Sequence, residues 1–190
     1  MNNLYKPEGI LYHSAENREY ISSLSGLERA MLQGRILEAP ATMCDGDMNL
    51  FVDLGEIKGI IPKSEAALCK FGEEVKSIAV ITRVGKPVCF KVTEITSENR
   101  CTVAYLSRKE AQKQCKREYI SDLVCGDILQ AKVTHMENFG AFVDIGCGNI
   151  SLIGIEAISV SRISHPCNRF RVGDEIFSVV TGMDFDKSRI

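Results

Sequence analysis

The alternation of apolar and polar positions predicts mainly short strands. From Asp127 to His135, Leu129, Ala131 and Val133 alternate with Gln130, Lys132 and Thr134. That two-residue period belongs to a strand with one buried face. Phe142 to Ile145, bounded by Gly140 and Gly146, is a second strand, and Ser151 to Ile155 is a third. Gly173 ends a turn into a fourth, Glu175 to Met183. Asp184-Phe185-Asp186-Lys187-Ser188 is a turn, and Arg189-Ile190 begins a fifth strand that the chain does not finish. Helical spacing is confined to three places. Ser107 to Leu123 opens with a Ser107/Glu110 capping box and repeats Ala111, Cys115 and Tyr119 on one face. Ser25 and Glu28 form the same box before a short helix that Gly34 ends. Ser14 to Ile21 carries weaker helical periodicity.

The strand pattern occurs twice. Leu50-Phe51-Val52-Asp53-Leu54-Gly55 recurs as Ala141-Phe142-Val143-Asp144-Ile145-Gly146, an offset of 91. Val84-Gly85-Lys86-Pro87-Val88 recurs as Val172-Gly173-Asp174-Glu175-Ile176, an offset of 88. Upstream, Gln33-Gly34-Arg35-Ile36 resembles Gln130-Ala131-Lys132-Val133, an offset of 97. Blocks in fixed order with drifting spacing indicate tandem domains rather than a solenoid. Five short strands in about 70 residues point to a small Greek-key barrel of the OB type. The expected fold is therefore mainly all-β: two tandem five-stranded OB-fold barrels joined by a helix, after a short N-terminal helical segment. The expected divisions are an N-terminal extension (1–26), a diverged first barrel (27–106), a connecting helix (107–123) and a second barrel (124–190). The second barrel stops inside its last strand, so the chain is expected to be the N-terminal part of a longer one.

Composition narrows the function. At 190 residues, 45% hydrophobic and 25% charged, the chain has enough apolar material for packed cores. A net charge of −2 argues against attachment to nucleic acid by bulk charge. No apolar run reaches the roughly 18 residues of a membrane span. The start lacks a basic stretch followed by an apolar one, so a cytoplasmic location is expected. The eight cysteines include no CxxC pair. They are expected to be free thiols acting as small hydrophobes in a reducing compartment.

Catalytic patterns are missing. There is no phosphate-cradling GxxxxGK[ST], no GxGxxG after a strand, no HExxH and no GxSxG. His13, His135 and His165 are scattered, and the pairs Asp45/Asp47 and Glu73/Glu74 lie in glycine-containing loops. No enzyme, metal or cofactor is expected.

A binding face is legible in the second copy. Val143 and Ile145 share one face of their strand, and Phe142 and Asp144 the other. A carboxylate prefers water, which puts Phe142 outside. Phe139 precedes it across Gly140, a residue that permits a sharp bend. Bases stack on exposed aromatics of this kind. The competing reading has Phe139 capping the barrel end and Phe142 under a loop. Ser159 to Arg171 carries Arg162, Arg169, Arg171 and His165 and no acid, so positive charge is local. Lys132 and His135 extend that surface.

The ordered set Asn138-Phe139-Gly140-Ala141-Phe142-Val143-Asp144-Ile145-Gly146, Ser151-Leu152-Ile153, Ser159, Arg162-Ile163, Phe170, Val172-Gly173-Asp174 and Met183-Asp184 resembles the S-one (S1) RNA-binding domain. That is the OB domain repeated in a ribosomal protein and present in polynucleotide phosphorylase and the large endoribonucleases. Residues 27–106 look like a diverged copy, with Gly59-Ile60-Ile61-Pro62-Lys63-Ser64 similar to the block after the second strand. The whole chain resembles the short ribosomal S-one-like proteins of Gram-positive bacteria. The resemblance implies that the two platform aromatics are Phe139 and Phe142. The acid and arginine flanking the last turn fall on Asp184 and Arg189, with one extra residue between them. A histidine that often completes the patch falls on Gly154. In the first copy Phe51 persists, but the acidic loop Cys44-Asp45-Gly46-Asp47 replaces the other aromatic and would repel phosphate.

The expected function is non-enzymatic binding of single-stranded RNA in translation. Phe139 and Phe142 stack bases, His135 and Asp184 complete the patch, and Lys132, Arg162, Arg169 and Arg189 hold phosphates or sugars. The expected partners are single-stranded RNA, above all mRNA, and the ribosome, with no membrane and no small-molecule substrate. The alternatives are a protein-docking module on the ribosome or the RNA-decay machinery, and the RNA-binding accessory part of a nuclease.

Overall fold

A computed structural model describes residues 5–69, 72–98 and 101–183. The chain forms two compact units, Glu8–Gln114 and Met1–Pro7 with Cys115–Ile190. The division falls inside the helix that follows the first barrel. Among the described residues, no helix is long and apolar enough to cross a membrane.

In the unit Glu8–Gln114, α1 (Ala15–Ile21) and α2 (Leu24–Gln33) precede five strands: β1 (Leu37–Cys44), β2 (Leu50–Leu54), β3 (Ile57–Ile61), β4 (Pro87–Glu98) and β5 (Cys101–Ser107). A short helix α3 (Ser77–Ile81) lies between β3 and β4, and α4 (Arg108–Glu118) follows β5. The strands close a barrel in the order β1-β2-β3-β5-β4, sealed by the parallel pair β3–β5. Closure leaves no free sheet edge. Leu37, Leu50, Val52, Ile61, Val88, Phe90 and Leu106 fill it, with Leu27 and Ala30 of α2 packed in the same core. Helix ends follow local chemistry. The Ser14 hydroxyl accepts the Asn17 amide at 3.1 Å and starts α1. The helix α2 starts earlier than the Ser25/Glu28 pattern predicts. Ser23 already has an extended backbone, and its hydroxyl takes the Gly26 amide at 3.1 Å. Gly34, at φ 61°, ends α2 as expected.

A buried ionic group ties this unit together. The Glu8 carboxylate accepts from Arg108 Nε (2.7 Å) and Nη2 (2.9 Å), from the Cys89 amide (3.1 Å) and from Arg83 Nη1 (3.3 Å). Arg108 Nη1 donates to the Ala66 carbonyl at 3.1 Å. Nearby, Glu38 is buried under the N-terminal segment and accepts from the amides of Gly9 and Tyr12.

In the other unit, β6 (Ile128–Glu137), β7 (Gly140–Asp144), β8 (Ile150–Gly154) and β9 (Glu175–Val179) form an antiparallel sheet of order β8-β7-β6-β9. A one-turn helix, α5 (Ile155–Ile158), follows β8. Leu129, Ala131, Val133, Ala141 and Val143 face the core. The expected turn at 184–188 and the fifth strand at Arg189-Ile190 lie outside the described residues. The N-terminal residues add contacts that periodicity did not reveal. The Tyr5 hydroxyl donates to the Glu118 carboxylate, and the Cys147 amide donates to the Lys6 carbonyl at 2.8 Å. Cys44, Cys69, Cys89, Cys115, Cys125, Cys147 and Cys167 are free thiols.

The two sheets repeat one another in hydrogen-bonding detail. The Ala41 amide donates to Lys86 O and the Gly85 amide to Ala41 O. The same pair recurs as Val133 to Asp174 and Gly173 to Val133. These bonds keep the offset of 88 in the downstream block, but they set the first strands 92 apart rather than 97. Gln33 is the last residue of α2 and Gly34 its cap, so the upstream block was matched out of register. Both first strands bulge at a threonine. Thr42 Oγ1 donates to Phe51 O (3.3 Å), and Thr134 Oγ1 to Phe142 O (3.1 Å).

The repeated aspartate serves the turn after its strand. Asp144 does lie on the face of Phe142, but it is only 2% exposed, contrary to the expectation that a carboxylate there seeks water. Its Oδ1 accepts the Gly146 amide (2.8 Å) and both its oxygens accept the Gly148 amide (3.0 and 3.1 Å). Asp53 accepts the Gly55 amide (3.0 Å) while exposed. Burial raises the cost of losing such bonds. Asp144→Ala is expected to lower unfolding free energy in urea by about 2–3 kcal/mol, and Asp53→Ala by less than about 1 kcal/mol. Equal losses at the two positions would remove burial as the cause.

Candidate nucleic-acid interface

The second sheet presents an aromatic face. Strict alternation from Val133 would turn His135 into the core. The bulge at Thr134 shifts the phase by one, so His135 pairs with Phe142 and is exposed beside it. On the far side Phe142 pairs with Leu152 of β8. One row across β6, β7 and β8 thus carries His135, Phe142 and Leu152. The His135 and Phe142 rings stack with centroids 6.0 Å apart and 23° between planes. Phe139, just before β7, meets Phe142 edge-on at 6.0 Å and 86°. Phe139 is 56% exposed, and Phe142 is half-buried between its neighbours. Such edge-to-face packing holds both rings without covering their outer surfaces.

Gly140 is required for a reason other than a bend. A Cβ there would run into the Ile153 carbonyl of the neighbouring strand, and Leu152 Cδ1 would lie 3.1 Å from it. Its place is set by close strand approach.

The expected polar residues are only partly gathered. Lys132 is half-buried on β6, opposite Asp144. Arg169 is exposed directly after the 3₁₀ turn Pro166–Asn168, which packs against β6. Arg162 is exposed on the loop after α5. His165 serves as a cap: its Nδ1 accepts the Cys167 amide at 3.1 Å. Asp184 and Arg189 lie outside the described residues. Sequence reasoning missed Leu152, whose strand phase placed it beside Phe142. It also missed Glu137, whose carboxylate lies 2.8 Å from His135 Nε2.

The first barrel has the same row with different chemistry. Met43, Phe51 and Ile60 lie across β1, β2 and β3. Lys58 Nζ sits 4.6 Å above the Phe51 ring and covers it. In the adjoining loop, Asp45 accepts from the Asn49 side chain (3.0 Å) and from the amides of Asn49 (2.8 Å) and Asp47 (3.0 Å). These bonds, the Asn49 side chain first, hold its carboxyl below the usual aspartate range.

Residues 125–190 match the family described as S1 RNA binding domain. The chain is 28% identical over 189 residues to small ribosomal subunit protein bS1 of Staphylococcus saprophyticus, covering 93% of this chain and 46% of that one. A bS1 homolog of Bacillus cereus is 33% identical over 144 residues, 74% of this chain and 35% of that one. The bS1 of Mycobacterium tuberculosis is 31% identical over 145 residues, 74% and 28% respectively. The chain therefore spans between about a quarter and a half of these relatives' length. The matched segment contains the whole row of His135, Phe142 and Leu152; over it the chain is similar to the S1 RNA-binding domain, and over most of its length to the ribosomal bS1 proteins.

Proposed function

We propose that the chain binds single-stranded RNA through residues 124–190, in translation and on the ribosome. The observation that carries this reading is the Phe139–Phe142 pair, with Phe139 exposed and Phe142 half-buried, beside His135 on the face of β6, β7 and β8. Bases stack on such rings whatever their sequence, because every base has a π face. Lys132, Arg162 and Arg169 hold phosphates or sugars along the strand, and Asp184 and Arg189 are assigned to the same surface by the family resemblance. The near-neutral chain binds with little help from long-range charge.

Titration of a labelled, mixed-sequence single-stranded RNA with the full chain at rising KCl tests this. Three neutralised phosphates correspond to a slope of log K against log salt of about −2. The double variant Arg162→Ala, Arg169→Ala is expected to flatten that slope to about −0.7. No saturable binding at low salt would sink the proposal, and an unchanged slope in the variant would remove the arginines from the site.

A second reading applies to the first barrel. With Lys58 over the Phe51 ring its face is closed to stacking, and the ionised Asp45 loop alongside repels phosphate. We assign it to protein docking on the ribosome. A pull-down of ribosomal proteins that survives ribonuclease supports that role, and capture lost on ribonuclease treatment opposes it.

A further inference from the structure

The strand β8 ends at Gly154, paired with Gly140 one step beyond the Phe142–Leu152 pair and on the same outer face. A Cβ built on Gly154 would lie 2.7 Å from Cδ and 2.8 Å from Oε2 of Glu156. Those distances are far inside van der Waals contact. The Glu156 carboxylate therefore stands where a side chain at position 154 would stand. The helix α5 brings it there: Glu156 is in its first turn, and the amide of Ile155 is anchored on the Phe139 carbonyl at 3.0 Å. Glu156 is exposed, and among the described residues no hydrogen bond or ion pair engages its carboxylate. An anion at the rim of a surface for a polyanion calls for a ligand group that donates to it.

We infer that Glu156 selects guanine at the base stacked on the aromatic pair. This inference rests on the RNA-binding reading above. A base lying on the rings directs its Watson–Crick edge sideways, where side chains read it. Guanine offers two adjacent donors there, N1–H and N2–H. They match the two oxygens of a carboxylate in parallel charge-assisted hydrogen bonds. Adenine and cytosine each set one amino donor beside a ring-nitrogen acceptor. Uracil sets one N–H between two carbonyls. Each of these three edges turns at least one lone pair toward the carboxylate. A site that pairs fully with one edge rejects edges that leave its polar groups unpaired.

The test uses the full chain and labelled octauridylates carrying G, A, C or U at one central position. Wild type is expected to bind the G-containing strand about tenfold tighter than the all-U strand, the discrimination of a good bidentate contact. Glu156→Ala is expected to erase the difference while all-U binding holds or improves. Glu156→Gln places a donor beside an acceptor, and is expected to move the preference to adenine or cytosine. Binding of all four strands within twofold by wild type overturns the assignment, as does a guanine preference that survives Glu156→Ala. Either result leaves the platform standing if Phe139→Ala, Phe142→Ala still loses binding. Absence of RNA binding by wild type overturns both.

Discussion

The double variant Phe139→Ala, Phe142→Ala is expected to lose RNA affinity by at least about 30-fold, from roughly 1–3 kcal/mol for each stacked base. The two rings do not carry equal structural weight. Phe139 is more than half exposed, so its removal opens no cavity. Phe142 lies between His135 and Leu152, and its truncation uncovers both. The cost to folding is expected to stay well below the about 3–5 kcal/mol of a core phenylalanine. Phe142→Leu separates the two effects. Leucine keeps apolar contact with Leu152 but has no π face, so stability is expected to hold while affinity falls. Fluorescence anisotropy with a labelled single-stranded RNA reads affinity, and thermal melting by circular dichroism reads the fold. If the double variant binds as tightly as wild type while melting normally, Phe139 caps the barrel and the bases lie elsewhere.

The row of aromatic side chains was legible because it rests on local sequence. Alternation through Ala141, Phe142 and Val143 sets which side is core, and the repeat at Phe51 shows that the phase is kept. Asp144 shares the face of Phe142 without being drawn there by water. Its carboxylate avoids water by taking the amides of Gly146 and Gly148, and only a loop's folded path shows that. His135 faces outward because of a bulge at Thr134. A bulge adds a residue without a sequence mark, so strict alternation misplaces everything after it. Glu156 was invisible for a related reason. Its role depends on a missing side chain at Gly154, and an absent group has no periodicity.

Long-range pairs were the hardest part to read. Nothing near Glu8 announces that it meets Arg108, a hundred residues away. The barrel's closing pair, β3 with β5, is likewise a parallel contact between strands that are not neighbours in sequence. Strand identity follows from local pattern, whereas closure follows from which surfaces remain to be buried.

Removing the Glu8 carboxylate is expected to cost the unit Glu8–Gln114 about 3–5 kcal/mol, the usual consequence of leaving a buried charge without its partner. The side chains of Glu8 and Arg108 are 7% and 5% exposed. After Glu8→Ala, Arg108 keeps the Ala66 carbonyl but loses the Glu8 carboxylate, and the Cys89 amide loses its bond to Glu8. Arg83, more exposed, turns to solvent at little cost. The large loss is a penalty of breaking the pair rather than a measure of its net worth. Glu8→Met with Arg108→Met is therefore expected to be more stable than Glu8→Ala alone, since it leaves no charge behind. The pair also sets acid sensitivity. Burial by itself would raise the Glu8 carboxyl, but the charge and hydrogen bonds of Arg108, then Arg83 and the Cys89 amide, outweigh it and hold it below its ordinary 4.5. A carboxyl depressed on folding gives its full stabilisation above the unfolded value and loses it as pH falls through the folded one. Urea midpoints measured from pH 6 downward should fall below about pH 4.5 in wild type, and fall less steeply in the double Met variant. Parallel pH curves for the two proteins would show that other carboxylates, and not Glu8, govern acid unfolding.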